Sequence, residues 1–228
     1  MSRAYYEAYD DRYRQIHGAG LQWSDDAPSP IVMQTMDEFG ISVHNNVLEL
    51  GCGEGRDAFV LLERGYGLLA TDISPEAIRC CQSRKPEFAS RFQVLDCVRG
   101  TLERRFDFIY AVAVLHMLVC DDDRSAFYAF LRTHLAPGGL ALVCTMGDGE
   151  VERRSDIRTA FTLQPRIHAQ TGRQVEVAAT SCRMVSFDTF EREWKQAGLC
   201  ARKQGITTTV PGFSEMMYAV LATQARSI

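Results

Sequence analysis

The chain has 228 residues, 46% of them hydrophobic, and a formal net charge of −4, which is enough apolar material for one domain with a real core. The acidic balance leaves no electrostatic footprint for bulk nucleic acid, and no stretch has the apolar length that spans a bilayer. The polar start Met1-Ser-Arg-Ala-Tyr-Tyr-Glu lacks a secretory pattern, and the eight cysteines contain no Cys-x-x-Cys pair, so reduced thiols in a cytoplasmic protein without a bound metal are expected.

Tyr5, Tyr6, Tyr9 and Tyr13 recur at helical spacing, which predicts an N-terminal helix with its rings on one face. The run from Gly18 to Pro28 breaks it. Ser29 before Pro30 predicts an N-capped second helix to about Phe39. From Asn46 strands and helices alternate, with strands expected at 46–50, 67–71, 91–95, 106–112 and 139–145. The intervening helices are expected at 54–65, from Ser74 onward behind Pro75, and at 124–135 behind Asp121 to Asp123. That rhythm implies a parallel sheet covered by helices on both faces. Residues 147–172 read as polar and helical with a break at Pro165, and 175–180 as extended. A helix at 187–197, stopped by Gly198, and strands at 200–209 and 215–223 complete the chain.

The sharpest local signal is Val47-Leu-Glu-Leu-Gly-Cys-Gly-Glu-Gly-Arg-Asp-Ala58, an apolar strand running into Gly51, Gly53 and Gly55 and then a helix. Glycines are needed where backbone turns tightly or meets a ligand closely, and a helix N-terminus behind them makes a nucleotide-sized cradle. Asp72 ends the next strand, where a carboxylate can accept both hydroxyls of a ribose. A nicotinamide fingerprint needs glycine or alanine at the position held by Arg56, so that cofactor is disfavoured.

Gly-x-Gly-x-Gly behind a Glu-bearing strand resembles motif I of the class I S-adenosylmethionine (SAM)-dependent methyltransferases. Four further segments resemble the family in the same order: Leu69-Ala-Thr-Asp-Ile-Ser-Pro-Glu-Ala, Phe92-Gln-Val-Leu-Asp-Cys97, Phe106-Asp-Phe-Ile-Tyr-Ala-Val-Ala-Val-Leu-His116 and Leu135-Ala-Pro-Gly-Gly-Leu. The resemblance implies an α/β fold with a Rossmann-like, seven-stranded, mostly parallel sheet, helices on both faces and a C-terminal antiparallel hairpin. It implies one domain over 1–228, with 1–40 as a helical lid and 147–185 as an inserted lid.

It also implies a site for SAM and its product S-adenosylhomocysteine. Gly51, Cys52, Gly53 and Gly55 would pass beneath the methionine part, Glu49 would hold its ammonium, and Ala111 and Val112 would lie along its chain. Asp72 would grip the ribose and Ile73 pack on the adenine. Asp96 would accept from the adenine amino group, and the Cys97 N–H would meet a ring nitrogen. Alternatively, Glu49 only orders the loop and Asp96 only ends a strand.

Methyl transfer from a sulfonium needs alignment and water exclusion more than a fixed triad. His116, after strand 4, is the candidate base, or else a packed histidine that orders its loop. Tyr9, Tyr13 and Trp23 are candidates for an aromatic roof, and Arg166 and Arg183 for a carboxylate or phosphate clamp. His17, His44 and His134 read as surface or capping positions, and His168 as a solvated helix residue. The Asn/Asp-Pro-Pro-Tyr motif of enzymes that methylate base amines is absent; Tyr110-Ala-Val-Ala stands there. The expectation is a small-molecule methyltransferase, monomer or homodimer. The alternatives are a protein or peptide methyltransferase and a non-catalytic SAM-binding protein.

Overall fold

The protein is described by a computed structural model over residues 3–24 and 26–224, so Met1, Ser2, Asp25 and 225–228 lie outside the described residues. Five parallel strands come first: β1 (Asn46–Leu50), β2 (Gly67–Asp72), β3 (Phe92–Val94), β4 (Phe106–Val112) and β5 (Leu135–Met146). Four short strands follow: β6 (Arg153–Arg154), β7 (Leu163–Ile167), β8 (Gln174–Ala178) and β9 (Arg183–Met184). Then β10 (Leu199–Thr207) and β11 (Met216–Thr223) close one seven-stranded sheet of order β10-β11-β5-β4-β1-β2-β3. Only β11 runs against its neighbours, β5 and β10.

Six α-helices accompany the strands: α1 (Ala8–Gly18), α2 (Pro30–Glu38), α3 (Arg56–Glu63), α4 (Pro75–Arg84), α5 (Asp121–His134) and α6 (Phe187–Gln196). Successive strand residues point to opposite faces, and both faces are buried, so β1 reads Val47-Leu48-Glu49-Leu50 without a solvent-facing member. Leu48, Leu50 and Ile109 pack with Phe127 and Leu131 of α5 and Phe190 and Trp194 of α6. Val47, Leu68 and Phe108 pack on the other side with Leu61 and Leu62 of α3 and Ile31 and Met36 of α2. Truncating one of these fully buried side chains to alanine costs about 2–5 kcal/mol, because transfer and cavity penalties add.

Several local expectations need correction. Ser74 caps α4 by accepting from the Ala77 N–H at 3.0 Å, but Ser29 does not cap α2. Its N–H and hydroxyl are both drawn to the Asp57 carboxylate, at 2.5 and 2.9 Å. The stretch 147–172 holds no α-helix, only a single 3-10 turn at Ile157–Thr159. β7 and β8 form an antiparallel hairpin in which Pro165 stands opposite Glu176. Every strand of a two-stranded hairpin is an edge, where a missing N–H is tolerated. The apolar residues Leu163 and Ile167 that suggested a helix are four apart, a spacing that also keeps them on one face of a strand. Among the described residues no helix is long and apolar enough to cross a membrane.

Candidate active site

The strand order reverses between β1 and β4, and the carboxyl ends of these two strands open the crevice where such sheets take ligands. The turn after β1 follows from its glycines. Gly51 has φ of 73° and Gly53 of 53°, conformations that L side chains rarely adopt. Space is a second constraint: a Cβ on Gly51 would overlap Val114 Cγ2, and one on Gly53 would stand 2.6 Å from the Tyr13 hydroxyl.

Two carboxylates sit beside this turn at the ends of β2 and β3. Asp72 Oδ2 accepts from the Gly53 N–H and Oδ1 from the Ser74 N–H, both at 2.8 Å. Each oxygen keeps a further lone pair for a hydroxyl donor. Burial pushes the Asp72 carboxyl up to about 6, against the pull of those N–H groups. Asp96 Oδ1 accepts from the Val98 and Arg99 N–H groups at 2.8 and 3.2 Å, and Oδ2 from the Tyr6 hydroxyl at 3.2 Å.

Glu49 stands opposite Tyr110 in the β1–β4 ladder. The phenol approaches without the alignment of a full hydrogen bond, and Glu49 Oε2 is left buried and unpartnered. Burial, then the charge of Asp57, pushes the Glu49 carboxyl well above the usual carboxylate range. A buried orphan oxygen of this kind is costly unless a donor meets it.

Over the crevice lies a cavity of about 70 Å³, walled by Tyr6, Tyr9, Tyr13, Gly51, Asp72, Ile73, Asp96, Cys97, Val114, Met117 and Leu118 among others. Ligand pockets are usually about 300–1,000 Å³, so the three tyrosines hold the site nearly closed. The N-terminal segment that carries them is fastened along its length. Tyr9 donates to the Ser181 carbonyl at 2.8 Å. Asp10 accepts from the Ser74 hydroxyl at 2.6 Å and the Glu76 N–H at 3.1 Å. His17 meets Glu54 through Nε2 and Glu76 through Nδ1, each at 2.8 Å. Glu54, inside the glycine turn, also accepts from the Trp23 and Ser24 N–H groups at 2.8 Å.

The residues singled out from sequence fall into three groups. Gly51, Asp72, Ile73, Asp96, Cys97, Tyr9 and Tyr13 meet around this cavity. Glu49, Cys52, Gly53, Gly55, Ala111 and Val112 form the turn and the strands beneath it without appearing in its wall. The rest lie elsewhere. His116 is 4% exposed, packs edge-on against Phe213 and accepts from the Met146 N–H at Nδ1, at 3.4 Å. Burial, then Arg124, lowers its imidazole to about 4. Arg183 is engaged with the Val119 carbonyl and the Asp121 carboxylate, at 2.8 and 2.6 Å. The ring of Trp23 lies over Arg12, with 4.7 Å from guanidinium to centroid. Arg166 is exposed on β7.

Some participants were not anticipated. Val114, Met117 and Leu118 supply the wall after β4, and an apolar run continuing past the strand end is the only local sign of it. His17, His134 and His168 are not surface groups. His134 is 3% exposed and bonds the Leu102 N–H at 3.0 Å. His168 is 5% exposed and meets the Gln22 carbonyl at 2.5 Å.

With this geometry in place, comparison with known proteins adds the following. Residues 48–141 match a family model described as a methyltransferase domain. Hemagglutinin 1 of Eikenella corrodens is 30% identical over 103 residues, 44% of this chain and 34% of that one. A 2-heptyl-1-hydroxyquinolin-4(1H)-one methyltransferase of Mycobacteroides abscessus is 34% identical over 65 residues, 28% of each chain. The matches thus span about a third of the length of these curated relatives. The CcbJ methyltransferase of Streptomyces caelestis superposes with a TM-score of 0.70 at 16% identity, covering 96% of this chain and 98% of that one. At that identity the likeness is one of fold.

Proposed function

We propose, for a chain whose residues 48–141 match a methyltransferase domain, an enzyme that moves the methyl group of SAM to a nitrogen, oxygen or sulfur of a small molecule. The observation that carries this reading is one arrangement: a glycine turn at positive φ, with Asp72 and Asp96 at adjacent strand ends, all on one cavity. The chemistry of the chain suits the cofactor. A turn that tolerates no Cβ accepts a close ligand, two acids with spare lone pairs suit a ribose and an adenine amine, and the orphan Glu49 oxygen suits an ammonium.

When bound, SAM supplies a methyl group already activated by the sulfonium charge. The chain's own residues bind, align and dry the site. In this proposal Asp72 receives the ribose hydroxyls, Ile73 covers the adenine, and Asp96 with the Cys97 N–H reads its edge. Gly51, Cys52, Gly53 and Gly55 let the methionine part approach the backbone. Glu49 faces the ammonium, and Ala111 and Val112 form the floor. Tyr6, Tyr9 and Tyr13 exclude water, which strengthens every polar contact inside.

No proton is routed through His116. Its Nδ1 lone pair already accepts from Met146, so Nε2 bears the hydrogen of the neutral ring. A group lowered to about 4 is also a weak base. We assign it to holding the loop that carries Met117 and Leu118.

Calorimetric titration tests the reading. SAM and S-adenosylhomocysteine are expected to bind and NADH not to. A metabolite screen that follows S-adenosylhomocysteine formation then identifies the acceptor. Absence of SAM binding, or NADH binding of equal strength, overturns the proposal. Turnover of peptides alone would move the acceptor to the polypeptide class.

A further inference from the structure

We infer that the acceptor is an anion, a carboxylate or phosphate ester, seated against the guanidinium of Arg12 and neighboured by Arg166; this rests on the methyltransferase reading above.

Two arginines of the described chain are buried, Arg12 at 6% and Arg124 at 1% exposure. Arg124 has the expected counter-ion, with Nε and Nη2 each 2.7 Å from a Glu193 oxygen. Arg12 has none among the described residues. Its Nε and Nη2 donate to the Ala178 carbonyl at 3.2 and 2.9 Å, and Nη2 also to the Ala179 carbonyl at 2.8 Å. Neutral carbonyls fix the fork in place and leave its charge uncompensated, with Nη1 bonded to nothing among the described residues. A buried charge without a partner is expensive. The surroundings make it more so: burial, with the second guanidinium of Arg166 acting in the same direction, lowers Arg12 to about 10.

The position is that of a substrate subsite. The Tyr9 ring lies 5.3 Å from the Arg12 guanidinium and also walls the cavity over the glycine turn. The charge therefore stands one ring's width from the methyl-transfer site, under the hairpin. Trp23 covers it from another side at 4.7 Å. In the β7–β8 register Arg166 is opposite Val175, and Val175 packs with Ile16 of α1, so Arg166 shares the hairpin face turned toward α1. Two cations and two aromatic walls, without a carboxylate of their own, match a flat acidic molecule. Arg183 does not join them, since Asp121 already neutralises it.

The test uses benzoate and phenyl phosphate as probes and benzamide as the uncharged twin, titrated calorimetrically at low salt with and without S-adenosylhomocysteine. At least one anion is expected to bind about tenfold more tightly than benzamide, and Arg12→Gln to weaken it about tenfold while S-adenosylhomocysteine affinity stays within about twofold. Which anion binds separates carboxylate from phosphate recognition. Arg166→Gln, on an exposed strand, keeps the test decisive if Arg12→Gln misfolds, and a loss of about threefold or more is expected from it. Equal binding of benzamide, no anion binding in the millimolar range, or anion affinity indifferent to the variants overturns the inference. Failure of S-adenosylhomocysteine to bind, with anion binding still dependent on Arg12, would instead remove the methyltransferase reading and leave the anion site standing.

Discussion

The hydroxyl of Tyr13 stands 2.6 Å from the point that a Cβ on Gly53 would occupy. The N-terminal helix α1 and the glycine turn are thus in direct register, with no room between them for one methyl group. Gly53→Ala must both hold φ of 53° and displace the phenol. The left-handed backbone alone costs about 1–2 kcal/mol, or roughly 2–8 °C in melting temperature for a domain of this size. SAM affinity should fall about tenfold or more, read by calorimetry, because the raised backbone fills the cradle. Tyr13→Ala should do the reverse to access, giving faster SAM association in stopped-flow fluorescence. Unchanged rates would show that the lid is not the barrier.

If Asp72 holds the ribose as proposed, cofactor binding depends on pH. Its folded value of about 6 lies above the ordinary 3.8. Between these values the folded state holds the proton that the unfolded state has released, so ionising Asp72 lowers stability as pH rises through that window. The ribose hydroxyls favour the ionised form. SAM affinity should therefore decline as pH is lowered through about 6, and Asp72→Asn should bind weakly at every pH. A wild-type affinity that is flat across this range would remove the ribose assignment.

His17 clasps α1 to the glycine turn and to α4, so it links the docking of α1 to protonation. The bond to Glu54 raises its imidazole above 6.5, against burial, and the bond to Glu76 adds to this. Glu54 and Glu76 are lowered from 4.5, each despite burial and chiefly by the His17 bond. The facing charges also include Arg79, which pairs with Glu76, and Arg84, which donates to the Glu54 carbonyl. The raised histidine contributes fully below 6.5, and its contribution is lost as pH rises through the folded value. The lowered carboxylates contribute above 4.5 and fade as pH falls through theirs. Protection of the α1 amides against hydrogen exchange, corrected for the intrinsic pH dependence of the exchange rate, should be greatest between these limits and fall on the alkaline side. His17→Ala should show low protection throughout and lose the alkaline fall.

Arg124 ties three elements together. Besides the fork to Glu193 of α6, its Nη1 donates to the Leu115 and Leu118 carbonyls, at 2.9 and 3.2 Å, in the loop that walls the cavity. Removing one partner of a buried pair strands the other, so Arg124→Met should cost about 3–5 kcal/mol in urea unfolding. The double variant Arg124→Met with Glu193→Leu should recover much of that. A double variant as unstable as the single one would mean that the carbonyl contacts, not the ion pair, carry the effect.

His116→Gln separates loop support from base catalysis. Melting temperature should fall, and the pH dependence of kcat should keep its shape once an acceptor is known. A loss of turnover above one-hundredfold with SAM affinity intact would restore a base at this position.

What the sequence determined by itself is local. Strands β1, β2 and β4 are mostly apolar and buried along nearly their whole length, as strands covered on both faces read, whereas the edge strand β3 exposes Gln93 and Val94. The glycine turn and Asp72 were equally legible, because backbone geometry and a strand end fix what residues they need. The hairpin is ambiguous in sequence because Leu163 and Ile167, four apart, satisfy both periods.

Tertiary structure decided the rest, through groups far apart in the chain. Tyr6 reaches Asp96 across 90 positions and Arg12 reaches Ala178 across 166. His17 looks like a helix-end cation until Glu54 and Glu76 flank it. Arg12 looks like a solvated helix residue until a hairpin lays its carbonyls on it and supplies no carboxylate. Pattern along a chain reports which face a residue shows; only packing sets which charge it meets, and the charge left unmet at Arg12 is visible in no window of sequence.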